Sequence, residues 1–517
     1  MDYSSSPTIT TCKGEIRGKR LIDEPEFQAD AYLGIPYAQP PLGDLRFKKS
    51  IPAREWTGTR ECVEHPAKCV QMLSELLSQN DKDWPASEDC LYLNVFCSGE
   101  YSEKMRPVLV FIHGGGFACG SVKAYGDRGI CDGLVRQGLV VVMVQYRLGI
   151  LGFFSTGDES CPGNFGLWDQ LAALQWVQTN IGQFGGDRDH VTICGQSAGG
   201  ACADLLSLSP HSKGLFHRII PMAGNARTPW SHKSSTADWC RRYAEDTLGV
   251  NAETSEELMA QLRRMPADRL AVALDAVMLR NEAELGFCPV IDGDLFPAPI
   301  EELLAAAPAL PVMIGLTTLE CGLLIPNEDL TDEHLEKAVK ALLPKNASEG
   351  STEALSAMYK EVALRKQPAH ATWRVLIEAT SDRIINIATM KVLHECIRRG
   401  APAYFYVFDY YNKACIGPTA NNAPCSDAPH CAELAYVFNG GVIAPFTFTK
   451  DDHRVAQLMM RTFANFAKNS NPNDEGSSSW QPCDAAHPGR HMALGMQPRM
   501  EEQFLEGRCE RWIDFMQ

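Results

Sequence analysis

Val191-Thr192-Ile193-Cys194-Gly195-Gln196-Ser197-Ala198-Gly199-Gly200 is the stretch whose reading decides the fold. Its first four residues are β-branched or small and apolar, as in a buried strand. A Gly-x-Ser-x-Gly turn follows, and the small residues from Ala198 to Ala201 open a helix. A serine on such a strand-to-helix turn projects its hydroxyl at the end of a sheet, where it can serve as a nucleophile. Glycines are needed on both sides because the turn is strained and crowded by neighbouring backbone. The bare pattern arises by chance in about one chain in five of this length, so the strand before it and the helix after it carry the argument. The bland alternative is a serine in an ordinary tight turn.

Outward from this turn, six apolar, β-branched or aromatic runs punctuate the chain: Val108 to Ile112, Val140 to Tyr146, Val191 to Cys194, Arg218 to Met222, Val312 to Leu316 and Ala403 to Phe408. Each reads as a buried strand. Helical patterns fall between them, as where Leu167, Leu171, Leu174 and Val177 recur at three- and four-residue steps. Strand alternating with helix predicts an α/β fold with a mostly parallel, doubly wound central sheet flanked by helices. Sites in such sheets lie beyond the carboxyl ends of the strands.

Val108-Leu-Val-Phe-Ile-His113-Gly114-Gly115-Gly116-Phe117 is a second strand that runs into glycines, ahead of the serine turn. Such a loop can aim backbone N–H groups at a developing oxyanion, each worth about 2.7 to 4 kcal/mol in the transition state. Gly115, Gly116 and Ala198 are the candidate donors. A rival reading is a dinucleotide loop built on Gly114, Gly116 and Gly120, but the spacing is off and no acidic residue ends the following strand.

The chain has 517 residues, 45% hydrophobic and 22% charged, the composition of a globular protein. A net charge of -16 argues against a nucleic-acid partner, which needs basic surface. The most apolar stretch, Leu139 to Phe154, is interrupted by Gln145 and Arg147 and is too short to span a membrane. No repeat or linker divides the chain, so residues 1–517 are expected to form one domain with loop and helix insertions. The 19 cysteines contain no C-x-x-C pair, and neither a metal nor an organic cofactor is expected. Without a basic, apolar leader, and provided the chain is complete, a cytoplasmic location with mostly free thiols is expected.

Further stretches make the pattern specific. Ser87-Glu-Asp-Cys-Leu-Tyr-Leu-Asn-Val95, the Gly195 to Gly199 turn, Gly34-Ile-Pro-Tyr-Ala-Gln-Pro-Pro41 and Asn164-Phe-Gly-Leu-Trp-Asp-Gln170 together resemble the type-B carboxylesterase and cholinesterase family. The likeness runs from Gly34 to the Asn465 to Pro472 segment and implies an α/β-hydrolase fold. It also implies a catalytic acid in a Gly-x-x-x-x-Glu-Gly stretch, matched by Gly315 to Glu320 with Cys321 in place of the glycine. The implied base precedes a Glu-Leu-x-Tyr-Val-Phe segment, which makes it His430. The chain order Ser197, Glu320, His430 is that of α/β-hydrolases. Asp427 and Glu433 are rival acids on the histidine's own segment.

Departures from the family pattern bear on the substrate. Gln196 stands where the family often has glutamate, and no tryptophan matches the choline-binding position, since Trp84 is too close to Cys90. Of the family's disulfides only Cys69 with Cys90 matches in pattern, and one sequon, Asn346-Ala-Ser348, is present. Arg46 with Glu88 and Arg147 with Asp169 match structural ion pairs. The resemblance puts the acyl side near Glu284 to Phe287, so Gln196, Leu285 and Phe287 are the candidate pocket residues.

The expected reaction is hydrolysis of a small, neutral, apolar carboxylic ester through an acyl-enzyme on Ser197. An acyltransferase using the same triad, and a non-catalytic binding relative, are the alternatives. A homodimer is left open.

Overall fold

The computed structural model describes residues 5–72, 80–99, 104–234, 236–272, 278–279, 284–322, 333, 340, 350–366, 370–417 and 426–516. The sequon at Asn346 lies outside the described residues. A single 13-stranded sheet collects strands from Ser5–Thr11 to Arg499–Glu501. Seven neighbours run parallel in the order Val140–Val144, Arg106–Ile112, Gly186–Gln196, Arg218–Met222, Val312–Thr317, Ala403–Asp409 and His491–Gly495. The first six match the six runs picked out above, except that the run Val140 to Tyr146 outlasts its strand by two residues. The strand leading to Ser197 is central, with Ile193 in register between Val110 and Ile219.

Burial on both faces explains why these strands read as continuous apolar runs. Along Arg106–Ile112, Val108, Val110 and Ile112 join one apolar core, while Leu109 and Phe111 join the other. The helix Phe165–Asn180 covers the first face with Leu167, Leu171, Leu174 and Val177, all buried. The helix Lys450–Asn469 covers the second with Val455, Met459, Phe463 and Phe466. Phe463 is wholly buried against Tyr406, and truncation to alanine there would cost about 3 to 5 kcal/mol. A capping box of Thr449 and Asp452 starts that helix, and Asp452 also accepts from the Tyr436 hydroxyl at 2.8 Å. That bond ties the helix to the segment carrying His430.

The antiparallel part was not anticipated. Ser5–Thr11, Gly14–Glu24, Phe27–Pro36 and Tyr92–Ser98 extend one side of the sheet, and Arg499–Glu501 closes the other. Gly14–Glu24, GEIRGKRLIDE, has its polar side chains partly exposed on one face, so it lacks the apolar run of the central strands. The two ion pairs are present. Arg147 grips Asp169 with contacts of 2.7 and 2.8 Å, both side chains buried. Arg46 grips Glu88 at 2.6 and 2.5 Å and also donates to the carbonyls of Leu262, Arg263 and Met265. Removing one partner of such a pair strands a buried charge, at a cost of about 3 to 5 kcal/mol.

Candidate active site

The loops that follow Ile112, Gln196, Met222 and Thr317 leave the carboxyl ends of adjacent parallel strands, so they meet at one edge of the sheet. Ser197 sits in the second of these, at φ 56° and ψ -125°, between the strand Gly186–Gln196 and the helix Ala198–Leu208. A non-glycine residue there carries strain of about 1 to 3 kcal/mol. Its N–H donates to the Met222 carbonyl at 2.7 Å and its carbonyl accepts from Ala201 N–H at 2.9 Å, which hold the turn. A Cβ at Gly195 would overlap the Gly199 carbonyl, and one at Gly199 would overlap the Ile112 carbonyl. The two glycines of the motif are thus required by close approach of backbone.

Gly115 has φ 114°, and a Cβ on it would overlap the Cys119 carbonyl. The N–H groups of Ala118 and Cys119 both donate to the Gly115 carbonyl at 3.0 Å, curling the loop back. Among the described residues the N–H groups of Gly115 and Gly116 meet no acceptor. Ala198 opens its helix, and helix geometry leaves its N–H unpaired as well. His113 supports the loop: it stacks on Tyr146 with ring centroids 4.6 Å apart, and burial pushes its imidazole down to about 4, so it stays neutral.

Glu320 is buried, and its two oxygens have separate partners. Oε1 accepts from Thr317 N–H at 2.7 Å, and Oε2 accepts from His430 Nδ1 at 2.5 Å. Backbone contacts fasten the two loops to each other: His430 N–H to the Glu320 carbonyl at 3.2 Å and Leu319 N–H to the Ala428 carbonyl at 2.9 Å. Ala428 N–H adds a bond to Thr318 Oγ1 at 2.8 Å. Burial alone would lower the basicity of His430, but Cys431 beside the ring and the Glu320 carboxylate hold its pKa well above the usual histidine value. With Nδ1 donating to Glu320, the acceptor nitrogen of the neutral ring is Nε2.

Gln196 reaches that acceptor. Its amide Nε2 lies 3.1 Å from His430 Nε2, across 234 residues of sequence. Among the described residues the Ser197 hydroxyl makes no hydrogen bond. Unliganded sites often hold the serine and histidine loosely in this way.

The rival acids go elsewhere. Asp427 accepts from the buried Arg374 at 2.5 Å. Glu433 is buried, with Oε2 unpartnered among the described residues, and burial together with the charge of Glu320 pushes its carboxyl up to about 8. Of the pocket candidates, Leu285 and Phe287 are buried. Phe287 lies edge-on to Trp239 at 4.7 Å and to Tyr243 at 5.2 Å, in an aromatic cluster of their own.

Two aromatic residues near Ser197 were not anticipated. A Cβ at Gly224 would overlap the Ser197 carbonyl and come within 2.9 Å of the Trp230 ring, so Trp230 lies about one side chain from the elbow. Phe117 packs at 6.2 Å from Trp230 and 5.1 Å from Phe153. A tryptophan soon after the strand Arg218–Met222, at the same sheet edge as the serine, was the available signal. Trp84 is engaged within the fold: its Nε1 donates to the Pro66 carbonyl at 2.8 Å, and Lys123 Nζ stands 4.1 Å over its ring. Cys69 and Cys90 are joined as a disulfide. Among the described residues no group of three or more histidine, cysteine, aspartate or glutamate side chains is arranged to hold a metal, and no helix is long and apolar enough to cross a membrane.

The sequence model of the carboxylesterase family matches residues 5–512. An esterase of Caenorhabditis elegans is 35% identical over 512 residues, covering 96% of this chain and 92% of the relative. A human cocaine esterase is 34% identical over 548 residues, covering 98% and 91%. A mouse acylcarnitine hydrolase is 34% identical over 537 residues, again covering 98% and 91%.

Proposed function

The chain belongs to the carboxylesterase family, and from that premise we propose that Ser197, His430 and Glu320 are its nucleophile, base and orienting acid. It is a serine hydrolase of carboxylic esters on an α/β-hydrolase fold. The observation that carries the residue assignment is the Glu320 to His430 contact of 2.5 Å, one residue's reach from the strained Ser197 turn.

In this reading Ser197 Oγ attacks the ester carbonyl while His430 Nε2 takes its proton, and Glu320 stabilises the resulting imidazolium. The N–H groups of Gly115, Gly116 and Ala198 receive the tetrahedral oxyanion. The imidazolium returns its proton to the departing alcohol, and water then repeats the sequence on the acyl-enzyme. The relatives reported above are named as hydrolases, which favours water over another acyl acceptor.

The substrate is a neutral ester with an apolar acyl group. Trp230 beside the elbow, with Phe117 packed on it, supports this, and Leu285 and Phe287 are further acyl-side candidates. Trp84 already has a cation over its face, and Gln196 supplies no carboxylate beside the reacting centre. The test compares kcat/KM for butyrylcholine with that for 3,3-dimethylbutyl butyrate. A ratio within about 30-fold, roughly 2 kcal/mol, fits this reading, and a larger choline advantage contradicts it. We also propose a cytoplasmic location, supported by sixteen described cysteines that remain thiols, fifteen of them buried. The Cys69 to Cys90 bond counts against it, and fractionation of cells expressing the full natural chain decides.

A further inference from the structure

Gln196 acts on the base as well as lying beside the nucleophile, and we infer that it is a positioning residue that favours the neutral, proton-accepting form of His430. The inference rests on His430 being the base. In the neutral ring, with Nδ1 donating to Glu320 Oε2 at 2.5 Å, the lone pair is on Nε2. The Gln196 group 3.1 Å from that lone pair is the amide nitrogen, and only its N–H can face an acceptor favourably. The amide oxygen lies toward the oxyanion loop, where a Cβ on Gly114 would come within 2.9 Å of it. Gln196 is buried, so its amide is shielded from competing water.

A donor aimed at the lone pair stabilises the neutral ring and turns repulsive once Nε2 is protonated. The groups facing His430 from the packed elements otherwise pull the other way: Glu320 on the neighbouring loop, and Cys431 on its own segment. Glu433, also on that segment, is coupled to the ring. Burial of the ring opposes them, and the donor on Gln196 adds to that opposition, favouring the unprotonated base. Glutamate in the same place would accept from the imidazolium and favour the charged, inactive form. The Gln196 amide and the Ser197 hydroxyl also compete for one lone pair, which fits a serine hydroxyl without a hydrogen bond in this state.

The test measures kcat and KM for p-nitrophenyl butyrate between about pH 5 and 9 in the wild type and in Gln196→Glu, Gln196→Leu and His430→Gln. Gln196→Glu should move the acid limb of kcat/KM up by about one pH unit, which is a tenfold loss on that limb. Gln196→Leu, which removes the donor without adding charge, should move it up by about half a unit. Midpoints that coincide in the wild type and both Gln196 variants, with only the plateau lowered, would show that Gln196 merely packs. Should His430→Gln keep the wild-type profile, the base assignment itself is lost and the inference goes with it. If His430→Gln is inactive while the other midpoints coincide, the inference alone is overturned.

Discussion

Two buried carboxyl groups flank the same histidine and live in opposite circumstances. Glu320, in the loop after Val312–Thr317, has one oxygen on a backbone N–H and the other on His430 Nδ1. Glu433, just before the short helix Leu434–Val437, is as deeply buried but leaves one oxygen unpartnered among the described residues, and its carboxyl is pushed up to about 8. The donors a fold brings to a carboxyl group decide what it can do, since residue type and burial are shared by both. Glu320 has a donor on each oxygen, and Glu433 is pushed toward its neutral form by burial.

Removing each carboxylate in turn separates the two groups. Glu320→Gln should lower kcat on the order of 10³ to 10⁴-fold, because the imidazolium loses its orienting partner. Glu433→Gln should cost less than about tenfold in kcat, since the group it replaces is already uncharged at neutral pH. Steady-state kinetics on one ester checks both, and a reversal of the two effects would mean the acid has been misassigned.

Stability against pH sharpens the same contrast. Glu433 has a folded-state pKa near 8 against an ordinary 4.5, so between those values the folded chain holds a proton that the unfolded chain has released. Stability contributed by this group is therefore lost as pH rises through that window, at up to about 1.4 kcal/mol per pH unit. Thermal melts of the wild type and Glu433→Gln from about pH 5 to 8 should show the variant gaining relative stability as pH increases. Parallel melting curves would show that Glu433 is ionised in the fold.

The smallest effect belongs to the third acid. Asp427→Asn should leave kcat within about threefold and cost about 1 kcal/mol, because the Arg374 pair is partly exposed on the Asp427 side. A loss of kcat comparable to that of Glu320→Gln would move the triad to Asp427.

Much of this was legible in the sequence, and the residues show why. Val191 to Gly200 encodes strand, turn and helix within ten residues, so local chemistry alone located the elbow. The central parallel strands are apolar on both faces, which makes them continuous runs. The outer strand Gly14–Glu24 has one partly solvated face, so its polar residues hid it. Gln196 could be placed beside the nucleophile, but the direction of its amide depends on a histidine 234 residues away. Trp230 lies in a loop with no motif, and its nearness to Ser197 comes from the way Gly224 passes the elbow. Glu320 and Glu433 could be ranked by position in the chain, whereas their differing hydrogen bonds belong to the folded state alone.

The central claim is that Ser197 is the residue acylated during turnover. Reacting the enzyme with a fluorophosphonate and mapping the modified peptide by mass spectrometry tests it directly. A single adduct on Ser197 is expected, absent from a folded Ser197→Ala variant and slowed on the order of 10³-fold or more by Glu320→Gln. An adduct on another residue, or undiminished labelling of Ser197→Ala, would contradict it.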